Sequence, residues 1–435
     1  MSRPPMKFPP LILLLTAPLA WTADVSDISP VWAGHRVRFA LLSHGDHQFV
    51  AFYDAERRMT LAHRGLPDGD WSLKTLDSNL AWDSHNAVTM ALDRENHLHV
   101  SGNMHNVPLV YFRGELPFDI ASLRPVHRMT GEREKNVTYP VFLHGADDAL
   151  VFNHRDGRSG NGSTLYNIYD EKSQSWSRLI NTPLFDGRGK MNAYPRNPLK
   201  GPDGFHHMSW VWRDSPMAET NHDLSYVRSR DLITWETGDG RRLDLPLTLS
   251  SPGTIVDPIP TGGGMINGSG DIGFDPSNRP VIAYHKYDAQ GHTQIHLARL
   301  NGGKWELHTL TDWKHRWEIS GGGTITPEVA VDAPGMEDGV FSITIRYPDH
   351  SGTYRLDPDT LVLGGKLQQA NRIPEALRVP TSPFPGMVVN WASDMGKASD
   401  GRTYRLRWES LPANRDKARP KPWPEPVMLK VIATP

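Results

Sequence analysis

The sequence contains no cysteine, which excludes disulfides and thiolate metal sites from its stability and its chemistry. It has no sustained helical amphipathic stretch, no basic block and no apolar run near the ~20 residues that a membrane-spanning helix needs. Charge is almost balanced, with 47 Lys and Arg against 49 Asp and Glu and a formal net charge of −2. That balance excludes a general pull on polyanions and argues against nucleic acid as a partner. An acidic ligand would have to be held by local cations. Neither His-Glu-x-x-His nor an EF-hand loop occurs, so spacing assigns no metal; a structural Ca2+ or Zn2+ stays compatible with the many carboxylates and histidines.

What the chain does have is glycine (38), proline (36), tryptophan (14) and 20 histidines. Arg3 and Lys7 precede the short apolar run Leu11–Ala20, the pattern of a signal peptide cut around Ala20–Ala23. The expectation is a leader over residues 1–23 and an exported, soluble, monomeric protein with no membrane association.

A polar turn followed by an alternating strand recurs seven times, with strands beginning near Phe49, Leu98, Leu150, His206, Val281, Phe341 and Tyr404. A second marker, a polar turn and then Trp, falls at Trp71, Trp176, Trp235 and Trp305. Ser229–Trp235 has the look of an Asp-box one residue short and without its glycine. A multi-stranded unit repeated every ~40–50 residues or more is the propeller signature. The predicted fold is all-β, a single seven-bladed propeller over residues 24–435. Its last strand, 426–432, is expected to close the ring against residues around Val37–Leu42. Read as innermost strands, the seven copies would bring their ends to one mouth.

The stretch from Trp82 to Asn106 supplies the chemistry. A strand over 87–92, the turn Asp93-Arg94-Glu95-Asn96 and a strand over 97–101 predict a hairpin. His85 and His105 flank it and should meet at its open end, with Asn86 and Asn103 beside them. Imidazole is the side chain most easily tuned for proton transfer near neutral pH. Tyr194 is a candidate phenol for proton transfer. Arg213, after Trp210-Val-Trp212, is a guanidinium in dry surroundings suited to pairing with a carboxylate. His154, Arg155, Asn221, His222, His285 and Lys286 are further binding candidates at strand ends or in adjoining loops. The Gly262 and Gly321 triplets suggest backbone in close approach to something.

Trp32-Ala-Gly-His35, Trp82-Asp-Ser-His-Asn86, Ser101-Gly-Asn-Met-His105, Arg155–Gly162, Lys190–Tyr194, Ser209–Arg213 and Thr220–Tyr226 resemble the BNR-repeat-containing proteins of bacterial polysaccharide degradation. The resemblance implies a seven-bladed propeller acting on a uronate-containing glycan. It further implies β-elimination at an ulvan-like or rhamnosyl-glucuronate linkage, without a cofactor. By position, His85, His105, Tyr194 and Arg213 would be catalytic: either histidine as base, Tyr194 as acid with roles exchangeable, and Arg213 neutralising the uronate carboxylate. One departure stands out: His154-Arg-Asp-Gly occupies the place where relatives read Tyr-Arg-Asp-Gly. An exo-rhamnosidase branch implies an alternative, hydrolysis at His35 on the opposite face. A non-catalytic carbohydrate-binding propeller is the third possibility.

Overall fold

The structure is a computed structural model that describes residues 23–368 and 373–434; all of the expected leader except Ala23 lies outside them. Within the described residues the chain is nearly all-β. Its strands form seven sheets, accompanied by one short α-helix, Glu375–Arg378, and three 3-10 turns. All seven repeated strands are present, one to a sheet: His47–Tyr53, Leu98–Gly102, Leu150–Arg158, His206–Arg213, Pro280–Tyr287, Val340–Arg346 and Thr403–Ser410. Each has a hydrogen-bonded partner on both sides, so none is the innermost strand of its sheet. Their composition accounts for this. An interior strand between stacked sheets must bury both faces and pair all its backbone groups, and Phe49–Tyr53 are fully enclosed.

Local chemistry sets the turns. Asp93 accepts the backbone N–H groups of Glu95 (3.0 Å) and His97 (2.8 Å), while Asn96 takes a positive φ of 65°, the conformation Asn tolerates best after Gly. Asp54 and Asp275 close their own hairpins in the same way. The shortened Asp-box still works as one: Asp231 accepts from Ile233 and Thr234, and Trp235 is fully buried behind it.

Successive sheets share apolar clusters. Val151 and Tyr166 pack with Met208 and Trp210, Tyr226 with Ile282, and Val281 with Phe341. The two ends of the described chain meet in one sheet, where Val427–Thr434 pairs antiparallel with Asp24–Val31. The expected partner, 37–42, is otherwise engaged. Ala40–Gly45 turns tightly at His44↔His47 and pairs with the following strand and with Lys397–Ala398. The earlier strand therefore supplies the free edge.

Four of the buried histidines are held most strongly in the neutral form. His35, His154, His285 and His296 are each 6% exposed or less, and burial holds each pKa down to about 4 from 6.5. Because the folded pKa lies below the unfolded one, the unfolded chain takes up protons first as pH falls. Stability is then complete above pH ~6.5 and is lost between there and about 4, by up to about 3 kcal/mol per imidazole. The melting temperature followed by circular dichroism is expected to drop steeply across that window. A flat profile would show that these imidazoles protonate in place.

Candidate active site

The histidine hairpin forms as predicted, with Val88–Leu92 paired to Leu98–Gly102 from Leu92↔Leu98 to Val88↔Gly102. Its open end brings the His85 and His105 rings to 4.2 Å between centroids, inclined at 33°. Asp83, two residues upstream, holds both. Oδ1 accepts from His85 Nδ1 (2.7 Å) and from the His85 backbone N–H (2.8 Å), and Oδ2 accepts from His105 Nδ1. Burial works to raise the Asp83 pKa, but the hydrogen bonds from His105 and His85 outweigh it and keep the carboxyl ionised, well below the usual range. An ionised carboxylate can only accept, so each imidazole donates from Nδ1 and keeps a lone pair on Nε2.

Tyr139 is the phenol beside this pair. The strand Val137–His144 bulges between Thr138 and Val141, and Tyr139 sits in the bulge at φ 55°. Such a bulge re-aims a side chain at the cost of local backbone strain. The Tyr139 ring lies 5.9 Å from His85 and 6.5 Å from His105. Burial pushes its hydroxyl up to about 12, opposed by the Arg155 charge, so it is a proton donor at neutral pH.

Arg155 occupies the next position inward. It is 5% exposed, with its guanidinium 4.9 Å from the Tyr139 ring centroid and 5.8 Å from that of Tyr194. One Nη contacts the Tyr194 hydroxyl at 3.4 Å; Nε and the other Nη are buried without a partner. Tyr194 also bonds Ser159 Oγ at 2.6 Å. Arg213 is placed differently. Its Nε donates to Ser215 O (3.0 Å), one Nη to Asn267 Oδ1 (2.9 Å) and the other to Pro216 O, while it lies 5.4 Å from the Tyr194 ring. It braces a loop. His85, Tyr139, Arg155 and Tyr194 line one cavity of about 530 Å³, together with His154, Arg38 and Arg196.

The remaining predicted residues divide. His154 reaches the cavity wall, but its ring is buried and its Nε2 faces Arg133 O at 3.3 Å. Asn86 is buried beside His85, and its carbonyl accepts from Tyr53. Asn103 is a turn residue at φ 58° that donates to Ser78 and Asn79. Asn221 donates to Ala218 O. His222 is held between Asp223 (2.8 Å) and Asp214 (3.1 Å); burial lowers its pKa, but the two carboxylates raise it on balance. It faces a separate cavity of about 350 Å³. His285 donates to Gly264 O, and Lys286 pairs with buried Asp257 at 2.5 Å. His35 is 1% exposed, accepts from Trp32 Nε1 (2.9 Å) and lies 5.4 Å from the Trp82 ring, so no substrate reaches it in this arrangement.

Asp416 is a second carboxylate at the site. It accepts from Ser84 N and Thr324, and lies 3.4 Å from His85 Nδ1. The glycine triplet explains how the 415–416 segment arrives. Gly323 has φ +75°, and a Cβ there would lie 2.7 Å from Arg415 O.

Asp83, His85 and His105 form the one group of this kind, among the described residues, whose ligand atoms lie within 4.8 Å of one another. Two imidazoles and a carboxylate suit Zn2+ and not Ca2+, which takes six to eight oxygens. The Nδ1 atoms and both carboxylate oxygens already serve each other here, so a metal would have to take over those contacts or use Nε2.

Residues 47–313 match the BNR repeat-containing family. No curated protein gives a match. Among solved structures, the polysaccharide lyase Uly1 is similar at 14% identity and TM-score 0.59, over 92% of this chain and 90% of that one. An ulvan lyase of family PL25 bound to -[GlcA(1-4)Rha3S]- is similar at 13% identity and TM-score 0.59, over 89% and 93%. At such identities the likeness is one of fold. The family match spans more than half of the sequence, including both histidines, Tyr139, Arg155, Tyr194 and Arg213, and the chain belongs to the BNR repeat-containing family.

Proposed function

We propose that the protein is an exported polysaccharide lyase that cleaves a uronate-containing glycan by β-elimination on a single seven-bladed propeller. Seven sheets, packed in succession and joined at their two ends in one sheet, support the propeller. The observation that carries the chemistry is Arg155: a buried guanidinium with unpartnered N–H groups in a cavity shared with a protonated phenol and a carboxylate-clamped imidazole. Uncompensated buried donors are costly, and a carboxylate admitted to them by a shift of the cavity wall removes that cost. The oligosaccharide in the PL25 complex contains a uronate.

In this reading the uronate carboxylate pairs with Arg155, which stabilises the enolate-like charge as it develops. His85 Nε2, the imidazole that lines the cavity, takes the proton from the carbon next to the carboxylate. The electron pair left behind forms the new carbon–carbon double bond as the glycosidic C–O bond breaks, and Tyr139 protonates the departing oxygen. Asp83 supports the imidazolium. Arg155 thereby takes the neutralising role expected of Arg213, and Tyr139 the acid role expected of Tyr194. Tyr194 instead contacts Arg155 through its hydroxyl. None of these steps needs a metal. Hydrolysis at His35 is disfavoured by its enclosure.

The test is incubation of the mature protein with ulvan and with rhamnose-capped glucuronate glycans. Ultraviolet absorbance of the unsaturated uronate and free rhamnose are followed together. Absorbance that rises in the wild type and is lost in Tyr139→Phe supports elimination. Free rhamnose without absorbance overturns it, and binding with neither signal points to a carbohydrate-binding propeller.

A further inference from the structure

The same cavity contains cations that the reaction does not use. In the segment Arg36-Val37-Arg38-Phe39 the side chains alternate: Val37 and Phe39 are 1% and 4% exposed, while both arginines point away from the core. The Arg38 carbonyl accepts from Val88 N, which fixes this segment to the histidine hairpin. Arg38 lines the cavity. Among the described residues, neither the Arg36 nor the Arg38 side chain has a hydrogen bond or ion pair. Both side chains are exposed by area yet crowded by surrounding protein: desolvation, with repulsion from Arg346 for Arg36 and from Arg196 and Arg36 for Arg38, lowers both guanidinium pKa values. Of the neighbouring arginines, Arg196 is paired with Asp271 and bonds Gly268 O. The local acids are Asp271 and Asp332, and Asp332 has its pKa raised, first by burial and then by Asp271. Three arginines, Arg38, Arg155 and Arg196, thus line the cavity against one carboxylate, Asp271, in a chain whose overall charge is −2. Unpaired like charges in one cavity are destabilising unless an anion joins them.

We propose that Arg38, with Arg36 beside it, forms a second anion subsite that takes an acidic substituent, a sulfate ester or a carboxylate, on a sugar flanking the uronate held by Arg155. The inference rests on an acidic glycan occupying this cavity and names its class: a glycan with at least two anionic groups in the bound segment. Arg155 holds the group at the reacting sugar, and the Arg36–Arg38 pair sets the register of the chain.

The test uses the mature protein and the variants Arg38→Gln and Arg36→Gln/Arg38→Gln, with a sulfated uronate glycan and its desulfated form. KM for the sulfated glycan is expected to rise by on the order of tenfold, with a much smaller change in kcat, and the salt dependence of kcat/KM to become shallower. If the loss is confined to the sulfated form, the substituent is a sulfate ester. An equal loss on both forms identifies a neighbouring carboxylate and equally supports the subsite. KM and salt dependence matching the wild type overturn it. Inorganic sulfate gives a readout independent of turnover: it should raise the wild-type melting temperature beyond chloride of equal ionic strength, and the double variant should lose that increment. If no glycan yields an unsaturated product but the sulfate increment persists and depends on Arg36 and Arg38, the elimination reading fails while the anion subsite stands. No increment in the wild type and no KM effect in the variants remove the subsite alone.

Discussion

Arg155→Ala is expected to lower kcat/KM for elimination by roughly 10²–10³-fold or more, the scale seen when a preorganised charge donor is removed from a reacting centre. The melting temperature should not fall. The two results belong together. In the free protein, two of the guanidinium nitrogens are buried without partners, and removing them relieves a desolvation cost while removing the group that meets the substrate. Arg155→Lys should not restore the rate, because an ammonium offers no planar fork and leaves the position between the Tyr139 and Tyr194 rings poorly filled. Arg213→Ala is expected to behave in the opposite sense. Its donors satisfy the Ser215 and Pro216 carbonyls and Asn267, so its loss lowers the melting temperature first and affects rate through loop position. Steady-state kinetics paired with thermal melts separates the two. A folded Arg213→Ala protein with no activity, beside an active Arg155→Ala protein, would return the neutralising role to Arg213.

That contrast marks where the sequence stops being informative. The histidine hairpin could be read because its determinants are local: Asp93 and Asn96 dictate the turn, and a fixed register places His85 and His105 together. The seven repeated strands could be read because their apolar composition matches an interior strand wherever it falls. Arg155 and Arg213 look alike in sequence, since both lie late in a repeated strand. Which keeps free N–H groups depends on the carbonyls of a loop that folds back on Arg213. His285 and Lys286 share that placement and His222 opens the strand after one, yet their own acids and carbonyls hold them away from the cavity. Tyr139 carries no local signal. Its direction comes from a bulge that exists only because Val137–His144 pairs with both Leu150–Arg158 and His105–Val107. Asp416 reaches Ser84 across 332 positions. Asp83 was in plain view between Trp82 and His85. Nothing in the sequence says that its two oxygens face two different imidazoles.

Asp83→Asn should therefore cost about 10³–10⁴-fold in kcat, the scale seen when an orienting carboxylate is replaced by its amide, with little change in KM. A carboxamide has one accepting oxygen and one donating nitrogen. It can accept from one Nδ1 but presents a donor to the other, so one imidazole must shift its proton to Nε2 or rotate. If that ring is His85, the lone pair that would take the substrate proton is gone; if it is His105, the two rings lose their common acceptor. Because the Asp83 carboxyl is held below the usual range, its contribution to folding is present above the unfolded carboxyl pKa of about 4 and is lost only as pH falls through the lower folded value. Its own titration therefore does not shape the rate near neutral pH, and the deficit of Asp83→Asn should be as large at pH 8 as at pH 6. Asp416→Asn, which leaves the clamp intact and touches His85, Ser84 and Thr324, should cost about tenfold to a hundredfold, as partners one step removed from a reacting group usually do. If Asp83→Asn keeps more than a tenth of the wild-type kcat while Asp416→Asn abolishes it, the orienting carboxylate is Asp416, and the base is fixed from the C-terminal segment rather than from the hairpin.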